Sequence, residues 1–543
     1  MTETIEHSIY IQTAPASDSW LNITHDVHVK GIKWTKGIPS SHPLDRIASV
    51  GMLNILLRND GATGAENRYT PGHANCTSGF QVRAKIKILS VWQGIEKIQW
   101  VGWIPPNGIQ QIRRGQLALT QVSAVDWMYF ALNSPVTLTE IQTDQTFGDI
   151  VITLSSLLTA QTGRIDTTAY EETFATSQDT VRENTTIYTE IDKAAKSELG
   201  YCYIKYEART GASDILTIEG RQSRSETKKF NAYPLTDDES PELLTEDDLY
   251  YLTTEDEEPL LADSGEEFAA LAGVTDYKVV NGAHYANRWL GKTYPRRVGS
   301  AEVIFMLNTP LKLESGEVRE NLRVRYAVID GYAGISAQNV SITHAAMNSQ
   351  ADGLGDDLTA DLDISGTFGA GDAALRIENT SNQEAWITEI EISGDPVYIG
   401  DTVTQVVDVD SDDDSLFGQI EMTLDQKYQS DPMRTLGHIS VLAVRYSQRT
   451  NTVEEVIFCA NRNRILASVY MLTDIGGRIP LEVVEYGLRE DYYIQGVDTW
   501  MDGLYTWCKL YLKPARLDSY RFWKLGEPGY SELGATTTLG IET

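Results

Sequence analysis

The residues with the clearest potential for chemistry are the carboxylates of the run DVDSDDDS at 408–415. Its acidic residues alternate along the chain, a spacing that could present oxygen ligands to Ca²⁺: Asp408, Asp410, Asp412 and Asp414. A calcium loop of the EF-hand type also needs a glycine at its sixth position and a glutamate at its twelfth, where this chain has Asp413 and Gln419. We therefore favour a solvated acidic turn over a cation site and predict no metal-ligating residues.

The histidines and cysteines form no recognisable metal or redox pattern. His25 and His28 flank Asp26 near the start of a predicted strand, where surface positions are expected. His73 and Cys76 share a loop rich in Gly and Asn, but no further ligands follow at a matching spacing. The four cysteines lie far apart and form no CxxC pair, which predicts buried or incidental thiols: Cys76, Cys202, Cys459 and Cys508.

Motifs of catalysis and of cofactor binding are also missing. The sequence has no G-x-S-x-G, no H-E-x-x-H and no glycine-rich phosphate loop followed by Lys-Ser/Thr. Carboxylate pairs are so abundant that choosing two as a hydrolase acid and base would be arbitrary. We predict no catalytic or cofactor-binding residues, no cofactor, and a protein that is not an enzyme.

Four tryptophans could in principle form a carbohydrate platform: Trp100, Trp103, Trp500 and Trp507. All four lie in segments that alternate between apolar and polar residues, as β-strands do. Aromatic side chains in such strands more often fill a barrel core or a subunit interface. The core or interface interpretation is the one we favour.

The charge balance limits the partners that the chain can bind. It carries 77 acidic and 45 basic residues, a net charge of −32, which argues against sequence-tolerant binding of nucleic acid or anionic lipid. Part of the excess is local, because residues 237–267 contain no Lys or Arg and many Asp and Glu. Such a stretch is typical of a solvated, mobile insertion.

The remaining composition is that of an ordinary soluble protein, with 41% hydrophobic and 22% charged residues. No segment approaches the 18 or more uninterrupted apolar residues of a membrane helix, so no membrane-spanning segment is predicted. The first residues, MTETIEHSIY, lack the basic and apolar regions of a secretory signal. We expect synthesis in a cytoplasm.

Period-2 patterns dominate the N-terminal part and predict a small antiparallel barrel or sandwich. The predicted strands are 27–34, 50–58, 83–92, 98–104 and 116–126. Two amphipathic helices are then predicted at 147–161 and 187–199, followed by the strands YCYIKYE and DILTIEGR. This combination indicates a small α+β domain that ends near Arg224.

The C-terminal part again has the strand inventory of a small barrel. Asp431 and Pro432 begin a predicted helix, as N-cap and first helical residue. Five alternating runs follow it: VEEVIFCA, RILASVYML, RIPLEVVEY, YYIQGVDTWM and YTWCKLYLKP. Residues 98–122 and 492–514 also share a weak plan of strand, Gly, Trp, Gly turn and strand, which suggests two copies of one barrel.

Together these patterns predict a mainly β chain with α+β parts: two antiparallel β-barrels, a small α+β domain and a β-rich insertion domain. The predicted divisions are a first barrel at 1–140, the α+β domain at 141–228, an acidic insertion at 229–275, a β-rich third domain at 276–400 with an exposed loop at 345–373, a second barrel at 401–515 and a C-terminal tail at 516–543.

Several segments resemble the tail-hub (baseplate-hub) proteins of tailed phages. The opening 25–60, HDVHVKGIKWTKGIPSSHPLDRIASVGMLNILLRND, is similar to the family's first barrel, and IQWVGWIPP at 98–106 to a strand of it. Residues 194–224, AAKSELGYCYIKYEARTGASDILTIEGRQSR, resemble the second domain, and VVNGAHYANRWLGKTYPRR at 279–297 the entry into the third. The C-terminal IPLEVVEYGLREDYYIQGVDTWMDGLYTWCKLYLKPAR with FWKLGEPGYSELGATTTLGI matches best. Residues 230–275 and about 340–373 lie outside the pattern.

The resemblance implies two tail-tube-like barrels in each chain, so that a homotrimer presents six barrels and adapts a six-fold tail tube to a three-fold tip. It implies a virion protein of the tail tip, made in the host cytoplasm, that lines the DNA channel without binding DNA specifically. Implied partners are a distal tail (tube-adaptor) protein, the tape-measure protein and tail fibre or tip proteins. Many relatives continue into a peptidase or fibre-like extension, whereas this chain stops at Thr543, which puts an attached cell-wall hydrolase in doubt.

Two other functions stay open at this point. A receptor- or glycan-binding tail-tip protein would suit the tryptophans and the β-rich loops, and sugar-array binding would favour it. A hydrolase of cell-wall polymer is suggested only by the proteins that such hubs accompany, and a monomeric mass would favour it over a trimeric hub.

Overall fold

A computed structural model gives the fold of the chain and is mainly β, with five α-helices among its described residues, which confirms the predicted class. It describes residues 3–14, 19–28, 30–62, 64–114, 117–136, 139–160, 162–168, 173–177, 185–207, 214–221, 223–226, 235–236, 271–272, 274–326, 336–409 and 418–515. Most of the predicted acidic insertion 229–275, the tail 516–543 and residues 410–415 of the acidic run lie outside these ranges. No helix among the described residues is long and apolar enough to cross a membrane.

Each helix begins at a side chain that caps its backbone N–H groups. The helices are α1 (Trp127–Asn133), α2 (Phe147–Ser156), α3 (Ile187–Glu198), α4 (Pro432–Tyr446) and α5 (Arg464–Leu472). The caps are Asp126, Thr146, Thr186, Asp431 and Asn463, in the same order. The structure confirms the predicted helices α2, α3 and α4, although α2 ends five residues before the predicted boundary.

The fifth helix corrects a prediction. The run RILASVYML, predicted as a strand, is α5, with Ile465, Leu466, Val469 and Tyr470 buried. It is apolar at almost every position, so that a period of two and a period of 3.6 fit it equally well. The side chain of Asn463, which accepts a hydrogen bond from the Leu466 N–H at 2.9 Å, selects the helix.

The chain forms strands from end to end. The N-terminal part contains β1 (Glu6–Gln12), β2 (Trp20–Asn22), β3 (Lys30–Gly37), β4 (Met52–Arg58), β5 (Lys85–Trp92), β6 (Ile95–Trp103), β7 (Ile109–Arg114) and β8 (Leu117–Val125). The α+β part contains β9 (Gln142–Thr146), β10 (Arg164–Thr167), β11 (Thr173–Ser177), β12 (Tyr201–Lys205) and β13 (Ile215–Glu219). Next come β14 (Leu235–Thr236), β15 (Leu271–Ala272) and β16 (Val274–Asn281).

The middle of the chain adds two further groups of strands. They are β17 (Arg288–Thr293), β18 (Arg296–Val298), β19 (Glu302–Met306), β20 (Leu311–Leu313), β21 (Val318–Arg325), β22 (Ser336–Asn348), β23 (Leu362–Phe368), β24 (Asp372–Asn379), β25 (Ala385–Ile399), β26 (Val403–Asp408) and β27 (Glu421–Gln426). The C-terminal part contains β28 (Asn451–Cys459), β29 (Arg478–Val483), β30 (Leu488–Asp502) and β31 (Tyr505–Pro514).

Eight strands from both ends of the chain form one antiparallel sheet, which we call the front sheet. Its order is β7-β8-β4-β3-β30-β31-β28-β16. The first four strands come from the N-terminal part. Of the other four, three come from the C-terminal part and the fourth is β16. The two halves meet where β3 pairs with β30, in a register that includes Trp34 opposite Thr499.

The two halves of the front sheet have the same topology. Each begins with a strand that we call the lead strand, β3 or β16, which pairs with the next front-sheet strand along the chain, β4 or β28. In the first unit, the hairpin β7–β8 places β8 beside β4 and β7 at the outer edge. In the second unit, the hairpin β30–β31 places β31 beside β28 and β30 at the outer edge. We call β7 and β30 the hairpin-edge strands. The junction inside the chain therefore joins the hairpin-edge strand of one unit to the lead strand of the other.

A second layer packs behind each unit. Strand β8 also pairs with β6, which leads to β5, β1 and β2, while β30 also pairs with β29, which leads to β14 and β15. A single cluster of buried side chains fills both units and reaches into the α+β part, where α2 and α3 pack together. Burial of this continuous apolar core couples the two ends of the chain.

This topology revises the internal repeat. The sequence plan matched residues 98–122 to 492–514, which makes Gly108 the equivalent of the turn glycine Gly503. In the structure the hairpin equivalent to β30–β31 is β7–β8, and Gly108 precedes it rather than forming its turn. Two copies of one unit are present, but their residues correspond differently from the predicted alignment.

The middle of the chain forms two smaller bodies. Strands β26, β17 and β27 make a three-stranded sheet that α4 covers, so residues 403–408, 421–426 and 432–446 belong to this sheet and helix rather than to the strands of the second unit. Strands β18–β25 form two sheets around a separate core. The predicted exposed loop 345–373 is shorter than expected, because β22 extends to Asn348 and β23 occupies 362–368. The remaining domain boundaries stay a prediction.

Candidate functional site

The front sheet has one buried and one open side, and both continue across the junction between the units. A row of directly paired residues crosses six strands and is at most 1% exposed: Phe458, Cys508, Thr499, Trp34, Leu53 and Ala124. The next row is partly or fully exposed on β31, β30, β3, β4 and β8, whereas its member on β28, Cys459, is buried: Trp507, Trp500, Lys33, Asn54 and Ser123 are the exposed members. Because side chains alternate along each strand, the front sheet presents one open face across these five strands, which the exposed members define.

Three lysines of the front sheet whose side chains the structure describes are paired with carboxylates. Lys33 Nζ lies 3.6 Å from Asp498 Oδ2, across the junction of β3 and β30. Lys509 Nζ lies 2.7 Å from Glu455 Oε2, and Lys278 Nζ lies 2.6 Å from Glu454 Oε2. Neighbouring carboxylates therefore offset the positive charge of these three lysines, which lowers their attraction for an anionic polymer.

The four tryptophans that were weighed as a carbohydrate platform do not form one group. Trp100 is fully buried in the core, and Trp103 packs edge-on against Phe130 at 5.2 Å. Trp500 and Trp507 are directly paired across β30 and β31, with parallel rings at a centroid distance of 6.2 Å. Trp100 lies in the core, as favoured from the sequence, whereas Trp500 and Trp507 are partly exposed on the open face, and their role in a core or a subunit interface stays a prediction.

A buried ion pair joins the two units behind the open face. Lys36 of β3 is 2% exposed, and its ammonium donates to Asp474 Oδ1, after α5, at 2.7 Å. Burial opposes ionisation of Asp474, but Lys36 and Lys97 hold the pKa of this carboxyl below its usual value. Lys97 also donates to the carbonyls of Tyr470 and Thr473, at 3.0 and 2.5 Å, and so caps the C-terminal end of α5. Burial lowers the pKa of Lys97 to about 8.

His7 provides a second polar link between the units. Its ring nitrogens lie 2.8 Å from Ser90 Oγ and 2.7 Å from Thr506 Oγ1, which belong to β5 and β31. Burial lowers the pKa of His7 to about 4, so the ring is neutral at physiological pH. Neither this link nor the ion pair had a signal in the sequence, because their partners lie more than 400 residues apart.

The α+β part is fixed to the second unit through a buried arginine. The guanidinium of Arg224 donates to Glu219 Oε2 at 2.8 Å and lies 3.4 Å above the ring of Tyr201. Tyr493 of β30 donates its hydroxyl to the Arg224 carbonyl, and Lys513 of β31 donates to the Tyr201 hydroxyl at 2.7 Å. Charge-assisted hydrogen bonds and cation–π contacts of this kind are strong when buried.

One group of side chains could be mistaken for a nucleophilic triad. Ser41 Oγ lies 2.8 Å from His284 Nε2 and donates to Glu454 Oε1 at 2.9 Å. In a triad the serine and the carboxylate bind opposite ring nitrogens, whereas here Glu454 lies 3.5 Å from the same Nε2 atom. Burial and the adjacent His42 ring also lower the pKa of His284. The arrangement does not fit serine activation.

The residues weighed as metal ligands have structural roles where they are described. Asp26 is buried and accepts from Tyr69 at 2.5 Å and from Arg68 at 2.9 Å. His73 Nδ1 accepts from the Asn75 N–H at 3.1 Å. All four cysteines are free thiols, and within the described ranges no three His, Cys, Asp or Glu residues form a metal-binding group. Of the acidic run, Asp408 is described and lies 3.7 Å from Arg288.

Comparison with known proteins finds similarity in solved structures only. No protein-family model and no curated protein sequence matches the chain. The fold is similar to the 43 kDa tail protein of prophage MuSo2 from Shewanella oneidensis, with a TM-score of 0.47 and 9% identity over 94% of this chain and 99% of that chain. It is similar to a tail protein from Neisseria meningitidis MC58, with a TM-score of 0.46 and 8% identity over 95% and 98%. A Francisella PdpA-VgrG complex gives a TM-score of 0.40 and 8% identity over 98% of this chain and 61% of that chain.

Proposed function

We propose that the chain is a structural hub of a phage-like tail tip, in which three copies form a ring that adapts a six-fold tube to a three-fold tip. The observation that carries the proposal is the front sheet, in which two units of identical strand order lie side by side within one chain. Three such chains present six equivalent units around a three-fold axis. The sequence resemblance to tail hubs, which covers most of the chain, supports the same assignment.

The open face of the front sheet is our candidate for the channel wall. In a ring of six units one side of every front sheet faces the axis, and the buried side is occupied by the core. The open side carries polar residues, two tryptophans and ion-paired lysines. DNA affinity arises largely from unneutralised Lys and Arg that displace counterions from phosphates. A wall whose described lysines are paired with carboxylates would let the genome pass without holding it.

The further parts of the proposal concern location and partners. We place the chain at the tail tip of a virion assembled in the host cytoplasm. Its ring would bind the distal tail protein and the tape-measure protein on one side, and fibre or tip proteins on the other. The β-sandwich of β18–β25 has its own core and is suited to the outside of such a ring.

Native mass spectrometry of the purified chain tests the proposal. A species of three times the chain mass of 60.4 kDa is expected. A stable monomer, dimer or hexamer over the micromolar range would contradict it. DNA binding at physiological salt gives an independent check, since we expect no measurable affinity for duplex DNA. Measurable affinity that falls steeply with salt would reveal an unpaired basic surface and refute the proposed wall.

A further inference from the structure

A loop of the first unit reaches two other parts of the chain. Residues 38–51, which we call the crossing loop, join β3 to β4. The loop pairs with β12 of the α+β part, where the Ala48 N–H donates to the Cys202 carbonyl at 2.8 Å. Leu44 of the same loop packs against the apolar core beneath α4. The crossing loop therefore joins the first unit to the α+β part and to the sheet β26-β17-β27, which we call the α4 sheet.

Two histidine rings meet beside this joint. His42 lies in the crossing loop, and His284 lies in the segment 282–287 that joins β16 to β17. Their rings are half-buried and stand edge to face, with centroids 5.0 Å apart. Ser41 Oγ lies 2.8 Å from His284 Nε2 and donates to Glu454 of β28. The contact thus holds the crossing loop against the segment that leads into the α4 sheet.

The hydrogen bonding of His42 shows which of its ring nitrogens lacks a proton. Nδ1 accepts from the Leu44 N–H at 3.2 Å, so in the neutral ring the proton sits on Nε2. A second proton can bind only at Nδ1, which then becomes a donor facing the donor of Leu44. Protonation of His42 therefore removes the hydrogen bond that positions Leu44 against the core of the α4 sheet.

The surroundings of the two rings disfavour a second proton. The cations near His42 are Arg46 in the crossing loop, Lys196 in α3 and Lys513 in β31, and Lys513 also acts on His284. Asp45 attracts a proton to both rings, and Glu454 attracts one to His284 but already binds Lys278 at 2.6 Å. Burial is the main reason that the pKa of each histidine lies below its ordinary value, and the adjacent His42 lowers the pKa of His284 further.

We propose that the contact between the crossing loop and His284 is an acid-sensitive latch, which is closed while both rings are neutral and opens as they bind protons. Two charged rings 5.0 Å apart repel each other, and the hydrogen bond from Leu44 to His42 is lost in the same step. Acidification would thus loosen the hold of the first unit on the α4 sheet. The latch lies within one chain and does not depend on the proposed ring.

The opening stays local, because a second contact holds the α4 sheet independently of the latch. Gln426 of β27 donates to the carbonyls of Lys196 and Ser197 in α3, at 3.1 and 3.0 Å. The Tyr428 N–H donates to Ser197 Oγ at 3.0 Å. Both partners are on α3, so these bonds persist when the crossing loop moves away.

The direction of the pH dependence follows from the lowered pKa of the two histidines. The open state, with its rings in water, binds more protons than the closed state once the pH falls below about 6.5. The latch is therefore fully closed above this pH and is lost as the pH falls. Each proton taken up on opening raises the opening equilibrium by up to about tenfold per pH unit.

Hydrogen–deuterium exchange of the full chain at about pH 7.5 and about pH 5, corrected for the intrinsic exchange rate, tests the latch. The reporters are the N–H groups of Ala48 and Ala286, which donate to the carbonyls of Cys202 and Tyr446 at 2.8 and 3.0 Å. Their protection should fall by about tenfold or more on acidification. Strand β5 should keep its protection. An equal loss in β5 would show acid unfolding of the whole chain and overturn the inference.

Glutamine variants assign the effect to the two rings. In the double variant His42→Gln/His284→Gln, protection at the two pH values should be equal. His73→Gln is the matched control, because His73 is exposed, and it should behave as the unaltered chain does. An unchanged acid loss in the double variant would overturn the inference.

The single variant His42→Gln decides the case if the double variant is already open at about pH 7.5. Its amide oxygen can still accept from the Leu44 N–H, but the ring repulsion is gone. The acid loss should then be clearly smaller than in the unaltered chain, and a loss of the same size would overturn the inference. Either failure leaves the proposed function intact.

Discussion

Removal of the Asp474 carboxylate should loosen the joint between the two units. Asp474 is the carboxylate bonded to the ammonium of Lys36, at 2.7 Å, and the side chain of Lys36 is 2% exposed. In an Asp474→Ala variant the ammonium stays in the core, where the ring of Tyr206 lies 5.5 Å away and the nearby cation of Lys97 repels it. Breaking a buried ion pair by removing one partner costs about 3–5 kcal/mol. The Asp474→Ala variant should therefore be destabilised by about 3–5 kcal/mol at pH 7.

Urea unfolding at pH 7, followed by tryptophan fluorescence, measures this loss of stability. Asp363→Ala serves as the matched control, because Asp363 pairs with Arg376 at 3.0 Å but its side chain is 60% exposed. An exposed pair contributes about 1 kcal/mol or less. Adding Lys36→Met to Asp474→Ala should restore most of the loss, since no buried charge remains. A loss below about 1 kcal/mol at pH 7 would refute this reasoning.

Three further predictions concern the same core. Burial lowers the pKa of His7 from about 6.5 to about 4, so between these pH values the unfolded state binds more protons than the folded state. The free energy of unfolding should therefore fall by up to about 3 kcal/mol as the pH drops from 6.5 to 4. Acid unfolding of a His7→Gln variant should lack this dependence of stability on pH. In urea unfolding, Gly37→Ala should lower the free energy of unfolding by about 1–3 kcal/mol more than Gly94→Ala does. Both glycines have φ near +80°, but a Cβ at Gly37 would lie 2.5 Å from the Gln495 carbonyl oxygen, whereas a Cβ at Gly94 would meet nothing within 4 Å. Equal costs would argue against close packing at the joint. Deletion of residues 237–263, a self-repelling acidic stretch, should leave a soluble chain that melts cooperatively in calorimetry, and aggregation would count against it.

The local elements could largely be predicted from the sequence. Helices α2, α3 and α4 have an apolar stripe and a capping residue, such as Thr146 or Asp431, and both signals are local. Helix α5 was predicted as a strand because an almost uniformly apolar run has no distinct hydrophobic period. Most front-sheet strands also alternate clearly enough to be recognised one by one.

The order of the strands and the contacts of the joint could not be predicted in this way. Strand β16 pairs with β28 across about 170 residues, and Lys36 meets Asp474 across 438 residues of chain. Such pairings depend on how separate units pack, which local periodicity does not encode. The internal repeat could be recognised from the sequence, but its two copies were aligned incorrectly, with Gly108 matched to Gly503. The order of the strands defines the repeated unit, and the spacing of Gly and Trp along the sequence does not reveal that order.

The central claim is that one chain supplies two equivalent units of a six-unit ring, and electron cryo-microscopy of the assembled chain tests it most directly. We predict a three-fold particle with six front sheets around one channel, their open faces toward the axis, and no ring of unpaired Lys or Arg on the wall. A particle without three-fold symmetry would contradict the account. So would a ring that buries the open faces of its front sheets away from the channel.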